Sequence, residues 1–512
     1  MAPPGKGEGF MKHIWMRSIG AGLGILLLLT GCTGGQTALS SVSGTETSTV
    51  GDPTSSEQDT ADSSASSGEN VPGTTLPGTP GSSSSDGKTV PRTDPTETDP
   101  ATSSSGVNTT ATTENPSAER PDLRHTFVLS TFMALDGDTN AAKNQRILRN
   151  TRDAGLNAVE VTWLSTEESI LAALQAAEKV PGIALLVQNA RGADQKGTNL
   201  GGIAASYMPS AVSAEEIGRW SRTLRGYDAL AGYYVWDEPY LPQLELCGRL
   251  TELYRSADPD HMAFSCILPS YGEYRWPSTY PAYVDSYLRT VRPEVLSLDY
   301  YPFLFQTDIA TTSDLYRDMG YMRKKSLEYG IPYWHYFQAI QNGQPLTVPQ
   351  IQVQMAVGLT YGVKGLSYYT SQYSLTDVNG HPTAAYAALK AVNTRVKNIG
   401  NLLYGKTNAA LYHTGLAASY NDAYFLDTLA SSPWLSSAPA NLSIGVFTDG
   451  SAIYLAVANK SHTASVSGTL ELKREYALAE YLPDGDTVRS LSRGRSISLN
   501  LEAAGIQVFI LK

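Results

Sequence analysis

An aromatic, β-branched run at Gly232, Tyr233, Tyr234, Val235 and Trp236 stops on two adjacent carboxylates and a proline, Asp237, Glu238 and Pro239. A carboxyl group set among aromatic rings loses hydration when it ionises, so its pKa climbs toward neutrality, where a general acid works best. The same residues also suit a helix start, because acidic side chains favour the positive end of the helix dipole and proline fits a first turn. Carboxylate chemistry usually needs a second group. Ser297, Asp299 and Tyr301 alternate with Leu296 and Leu298, so Asp299 shares one strand face with two polar neighbours. A polar face on a central strand lines something wet or hydrogen-bonded. The competing explanation for Asp299 is a bond to backbone or to a tyrosine. Glu160, followed by Thr162 and Trp163, is a third candidate acid.

These residues need elements to hold them. From about Leu123 onward, short β-type runs alternate with helical ones about eight times. Strands are expected at 126–133, 157–164, 182–189, 231–237, 262–268, 295–302, 331–338 and 365–371. The stretches between them carry helical periodicity, and several end at glycine. Eight strand–helix units over about 280 residues match the size and rhythm of a (β/α)8 TIM barrel. A doubly wound sheet competes, but no glycine-rich phosphate loop follows the first strand. After about Gly405 the pattern becomes a period-two alternation with turn signals at Asp449-Gly450 and Asp484-Gly485. That predicts a small C-terminal antiparallel β-sandwich. The expected divisions are 121–405 for the barrel and 406–512 for the sandwich.

In a barrel of this kind, chemistry gathers at the C-terminal ends of the strands. Those ends carry Glu160, then Trp236, Asp237 and Glu238, then Asp299 and Tyr301, then Trp334, His335, Tyr336 and Gln338, then Tyr368, Tyr369 and Gln372. Carboxylates ringed by aromatic and amide side chains suit a carbohydrate. The 30 Tyr against 10 Phe and 7 Trp agree with that, since tyrosine joins an apolar face to a polar tip. Glu238 is the expected general acid/base and Asp299 its partner. Asp237, Trp236, Tyr301, Trp334 and Gln338 are expected to hold the sugar, with the two tryptophans as stacking platforms. Glu160 either binds sugar hydroxyls or braces an arginine. His335, alone among tyrosines, reads as a structural hydrogen-bonder.

The stretch around Glu238 resembles the signature of clan A glycoside hydrolases, retaining (β/α)8 enzymes that include cellulases, mannanases and family-42 β-galactosidases. In that clan strand 4 ends Asn-Glu-Pro, the glutamate being the acid/base. Glu238 and Pro239 match, while Asp237 stands in place of the asparagine that binds the sugar 2-hydroxyl. The strand around Asp299 is similar to the clan strand bearing a tyrosine that contacts the nucleophile, a part for Tyr300 or Tyr301. The likeness extends over roughly residues 123–512 and implies hydrolysis of an O-glycosidic bond. It departs at strand 7, where the clan has its nucleophilic glutamate and this chain has Gln338. Adjacent Asp-Glu on strand 4 is also similar to family-20 hexosaminidases, where a substrate acetamido group replaces the enzymic nucleophile. A carbohydrate-binding lipoprotein on a degenerate barrel is the alternative from outside enzymology.

The remaining sequence concerns location. Lys12 and Arg17 precede an apolar stretch too short to span a bilayer comfortably, followed by Leu29-Thr30-Gly31-Cys32. This resembles the lipobox of bacterial lipoproteins, with Cys32 as the lipidated residue and 1–32 as a lipoprotein signal peptide. Residues 33–120 are dominated by Ser, Thr, Gly, Pro, Asp and Glu and cannot bury enough surface to offset ordering entropy, which predicts a disordered linker. As a coil it would span about 50 Å. The expected location is extracytoplasmic, held to the membrane through Cys32. A net charge of -11 and no basic stripe argue against nucleic acid. No Cys/His cluster has metal-ligand spacing, and neither metal nor cofactor is expected. Cys247 and Cys266 are compatible with one bridge or two buried thiols.

Overall fold

The computed structural model describes residues 120–132, 134–135, 137–162, 166–188, 213–272 and 279–512. The expected signal peptide with Cys32, nearly all of the expected linker and Trp163 lie outside them.

The first part is a ring of parallel strands: β1 (Val128–Thr131), β2 (Ala158–Val161), β3 (Ala184–Gln188), β4 (Leu230–Asp237), β5 (Met262–Cys266), β6 (Leu296–Tyr300), β7 (Tyr333–Gln338) and β8 (Gly365–Tyr369). Strands β2 to β5 pair in chain order, and β6, β7, β8 and β1 form a second parallel run. Two bridges join the runs, Phe132 with Glu160 and Ile267 with Leu298. The Asn157 amide donates to Leu129 O at 2.9 Å and the Ile267 amide to Ser297 O at 3.1 Å across the same seams. A helix follows each strand: α1 (Ala141–Asp153), α2 (Glu167–Ala177), α3 (Ala214–Leu224), α4 (Leu244–Ala257), α5 (Tyr280–Val291), α6 (Asp314–Tyr329), α7 (Val348–Thr360) and α8 (Tyr386–Tyr404). This is the (β/α)8 TIM-barrel architecture expected from the alternation.

Local chemistry explains the element ends. Reciprocal capping boxes start α2 at Thr166 and Ser169, α3 at Ser213 and Glu216, and α7 at Thr347 and Gln350. Gly330, with φ 66°, ends α6 in the left-handed region that glycine tolerates best. Residues of one strand parity, such as Leu129, Val159, Leu185 and Val235, pack outward under the helices. The other parity, including Val128, Ala158, Leu186, Tyr234, Phe264 and Trp334, fills the barrel. Gly365 makes room for Trp334, since a Cβ there would lie 2.7 Å from the indole.

The C-terminal part packs two antiparallel sheets face to face. One has six strands, in the order Thr407–His413, Leu442–Thr448, Ile453–Asn459, Ile506–Leu511, Leu478–Leu482 and Thr487–Ser490. The other orders Leu435–Ser437, Val466–Tyr476 and Gly494–Leu501. Leu442, Ile444, Leu455, Leu470, Ile497 and Phe509 are among the residues of their shared core. The sheet lies tightly on α7: Thr360 and Ser443 hydroxyls meet at 2.6 Å, and a Cβ on Gly445 would collide with Thr360 O. Arg323 of α6 reaches Asn408 Oδ1 at 2.6 Å. Cys247 and Cys266 are both buried free thiols.

Candidate active site

The strand register around Trp236 decides what the carboxylates face. β4 pairs Tyr234 with Phe264 but Trp236 with Ser265, a bulge that leaves Val235 without its own partner. Val235 and Trp236 therefore both lie in the layer between sheet and helices. Trp236 is 1% exposed, so it has no face to offer a sugar, contrary to expectation. Beyond the bulge the chain turns. The Glu238 amide donates to Cys266 O at 2.9 Å, and Glu238 sits at φ 54°. A non-glycine residue in that region costs of order 1 kcal/mol and persists where the surroundings enforce it. Helical structure begins only at Leu241, behind Tyr240, and α4 at Leu244. The acidic pair does not start the helix.

Glu238 is packed closely by protein yet keeps part of its surface open to solvent, as does Asp237. Asp237 Oδ1 accepts from the Tyr234 hydroxyl at 2.8 Å. Asp299, at the end of β6, is 5% exposed, and its Oδ1 has no hydrogen-bond partner. Glu238 and Asp299 stand within hydrogen-bonding reach of each other. Burial holds the Glu238 carboxyl well above the usual carboxylate range, and the negative charges of Asp299 and Asp237 and the bond to Asp299 add to it. Burial likewise lifts Asp299 to about 7, opposed by the hydrogen bond from Glu238 and aided by Asp237. Near neutral pH the pair holds a proton on Glu238, with Asp299 as its acceptor.

Around this pair the open aromatic surface is tyrosine. Tyr301 stacks on Tyr369 with ring centres 4.6 Å apart, and its nearby hydroxyl favours the Asp299 anion. Both tyrosines are only half-buried. Tyr271, on the loop after β5, was not singled out from the sequence. Its hydroxyl accepts from the Tyr301 amide at 3.2 Å, and after burial the charges of Asp299 and Glu238 oppose its ionisation. The available signal was only an aromatic residue just past a strand end.

Three expected sugar contacts are placed elsewhere. Glu160 is fully buried inside the barrel: Ser130 and Ser367 hydroxyls donate to Oε1 at 2.8 and 3.0 Å, and the Tyr336 hydroxyl donates to Oε2. It ties β1, β2, β7 and β8 together and has no surface for a ligand. Trp334 is 3% exposed, packed on Phe264, and pairs with the first residue of β8, far down the barrel from the mouth. Gln338 does lie at the end of β7, but it is 1% exposed. Its Oε1 accepts from the Phe303 amide at 2.9 Å and its Nε2 donates to Ile340 O at 3.1 Å. A carboxylate could keep the first bond and not the second. His335 is buried against the Tyr333 hydroxyl, and burial lowers its pKa to about 3, so it stays neutral. Among the described residues no group of His, Cys, Asp or Glu is arranged to hold a metal.

No known protein-family profile matches the chain, and no curated protein does. Solved structures do. A glycoside hydrolase is similar over 75% of this chain and 92% of its own, with 8% identity and a TM-score of 0.50. A family 5 glycoside hydrolase from Bacteroides vulgatus is similar over 75% and 89%, at 11% identity and a TM-score of 0.47. A family 39 glycoside hydrolase from the gut symbiont Bacteroides cellulosilyticus is similar over 77% and 82%, at 14% identity and a TM-score of 0.42. At these identities the likeness is one of fold.

Proposed function

We propose that the protein is a glycoside hydrolase cleaving O-glycosidic bonds in an oligo- or polysaccharide, with Glu238 as general acid/base and Asp299 as its partner. The observation that carries this is the pair itself: two carboxyl groups within hydrogen-bonding reach at the barrel mouth, with burial holding Glu238 well above the usual carboxylate range. Fold likeness to a solved glycoside hydrolase agrees with it. Within hydrogen-bonding reach, the two groups stand closer together than an inverting pair does. Inverting enzymes need about 6.5–9.5 Å for an intervening water, and retaining ones about 5–5.5 Å. The retaining course therefore fits better, with an arriving sugar parting the pair.

In the first half-reaction Glu238 gives its proton to the leaving oxygen as the C1–O bond breaks, and an Asp299 oxygen bonds to C1. In the second, water loses a proton to Glu238, its oxygen bonds to C1, and the Asp299–C1 bond breaks. Asp237, Tyr301, Tyr369 and Tyr271 would line the sugar. In purified protein, Glu238→Gln should lower turnover of natural glycans about 10²–10⁴-fold. Wild-type rates in that variant would sink the assignment. The rival is a carbohydrate-binding protein on a degenerate barrel, favoured by the amide at Gln338. Micromolar glycan binding by calorimetry with no turnover by wild type would establish it.

We extend the proposal to location. Lipidation at Cys32 and the Ser/Thr/Pro/Gly-rich segment after it would hold the enzyme outside the cytoplasm on a membrane tether, with carbohydrate and not nucleic acid as its partner. Metabolic labelling with a fatty acid should mark the wild type and not Cys32→Ala. Equal labelling of both would refute the anchor.

A further inference from the structure

Few large apolar side chains are exposed among the described residues: Phe305, Leu327, Tyr329, Val378 and Val488. Leu327 and Tyr329 lie at the C-terminal end of α6, at the foot of the barrel, and Val488 lies in the sandwich. Val378 is on the loop after β8. Phe305 is the one aromatic ring of this set at the mouth, on the loop after β6, and 48% of it is open to solvent.

The ring is held by a built support. Amides of Phe305 and Gln306 both donate to Pro302 O, at 3.1 and 3.2 Å. Phe303, inside the same turn, is fixed on both sides: its amide donates to Gln338 and its carbonyl accepts from Gln341 Nε2 at 2.8 Å. Tyr271 meets Phe305 edge to face with ring centres 4.8 Å apart, and meets Tyr300 in the same way at 5.0 Å. Tyr271 is also the residue whose hydroxyl accepts from the Tyr301 amide, beside Asp299. One aromatic ring thus separates Phe305 from the surroundings of the acid pair. Its edge-to-face seat on Tyr271 sets the orientation of the ring and leaves half its surface open beside the site.

We infer that Phe305 is a stacking platform for a pyranose ring of the bound glycan, one or more residues away from the scissile bond, and so sets a preference for chains over short glycosides. This rests on the carbohydrate reading of the site. The apolar C–H face of a pyranose buries against the ring and its hydroxyls stay hydrated, a match that an aliphatic side chain makes less well.

The test compares wild type, Phe305→Ala and Phe305→Trp. Binding is measured by calorimetry with cellohexaose, xylohexaose, mannohexaose and maltohexaose, and hydrolysis with those chains and with the matching 4-nitrophenyl monoglycosides. For the hexaose that wild type prefers, Phe305→Ala should bind about tenfold more weakly, with Phe305→Trp close to wild type. Monoglycoside hydrolysis should be unchanged in both variants. If wild type hydrolyses a hexaose and Phe305→Ala binds and cleaves it equally well, the platform is wrong and the hydrolase reading stands. Phe305-dependent binding without hydrolysis by wild type would uphold the platform and remove the hydrolase. A wild type that neither binds nor cleaves any of the chains would overturn both.

Discussion

Replacing Gln338 by glutamate asks whether the strand-7 amide is a structural clamp or a lost nucleophile. The substitution leaves the shape of the side chain nearly unchanged and removes one donor. In the wild type that donor, Nε2, meets Ile340 O at 3.1 Å, while Oε1 accepts from the Phe303 amide. A glutamate keeps the second bond but sets a carboxylate oxygen against the Ile340 carbonyl in a site 1% exposed. The lost bond is worth about 1 kcal/mol and the unmatched buried oxygen about 1–3 kcal/mol more, so the variant should lose about 3 kcal/mol at neutral pH. At about 1.4 kcal/mol per pKa unit, that holds the new carboxyl about two units above its unfolded value of roughly 4.3. Protonated, it can donate to Ile340 O again. The folded form binds the proton more tightly, so the penalty is absent below about pH 4 and develops as pH rises to roughly 6.5. Urea unfolding followed by tryptophan fluorescence, at pH 4.5 and 7.5, reads this directly. A variant as stable as wild type at pH 7.5 would refute the clamp, and a gain in glycan turnover with it would place the nucleophile on strand 7 after all.

Two further outcomes test the electrostatics of the site. Turnover should follow a bell-shaped pH profile whose two limbs are the proton losses of the pair, both raised above the usual carboxylate range by burial. Asp237 raises the pKa of both groups by its charge, so Asp237→Asn, which can still accept from Tyr234, should move both limbs to lower pH; an unmoved profile would mean that Asp237 is not charged beside the pair. Burial lifts Glu160 to about 7 against the pull of its three hydroxyl donors. Its folded pKa lies above its unfolded one, so stability should fall by roughly 3 kcal/mol as pH rises from about 4.5 to 7, and Glu160→Gln should flatten that slope in urea titrations. An equally steep slope in the variant would assign the pH dependence elsewhere.

The barrel was legible because its strands are short aromatic or β-branched runs separated by helical periodicity, and both signals are local. The positions of Glu238 and Asp299 at the rim follow from that same rhythm. Trp236 was not legible. Its expected direction assumed unbroken alternation, and the bulge beside it is a property of pairing with β5, which leaves no mark in a single strand's sequence. Trp334 was misplaced in height rather than in face. It does point into the barrel, but at the level where β8 begins, and the glycine it presses on, Gly365, is 31 positions away. Gln338 was visible as an exception, yet its use needed Phe303 and Ile340, which only the fold brings to it. Glu160 was correctly an inward acid. Three hydroxyls from three strands, each unremarkable in sequence, turned it from a ligand into an internal tie.

Burial, with the acid cluster at the mouth adding to it, explains why a proton stays on Glu238 at a pH where a solvated glutamate would have lost it. Asp237 and Asp299 flank it with negative charge, and burial weakens the solvation that would disperse that charge. Mutual repulsion among carboxylates is destabilising for the fold, but bringing a proton to one of them relieves part of it, and that is the state a general acid needs. The nearby Tyr301 hydroxyl favours the Asp299 anion, so the proton settles on its neighbour. Backbone geometry holds the pair in place: the bulge in β4 and the left-handed turn at Glu238 carry the carboxyl from the outward layer to the mouth within two residues. Unbroken alternation would have set Glu238 on the same face as Tyr234; the bulge shifts that parity by one residue, and the left-handed turn at Glu238 brings the acid back to the mouth.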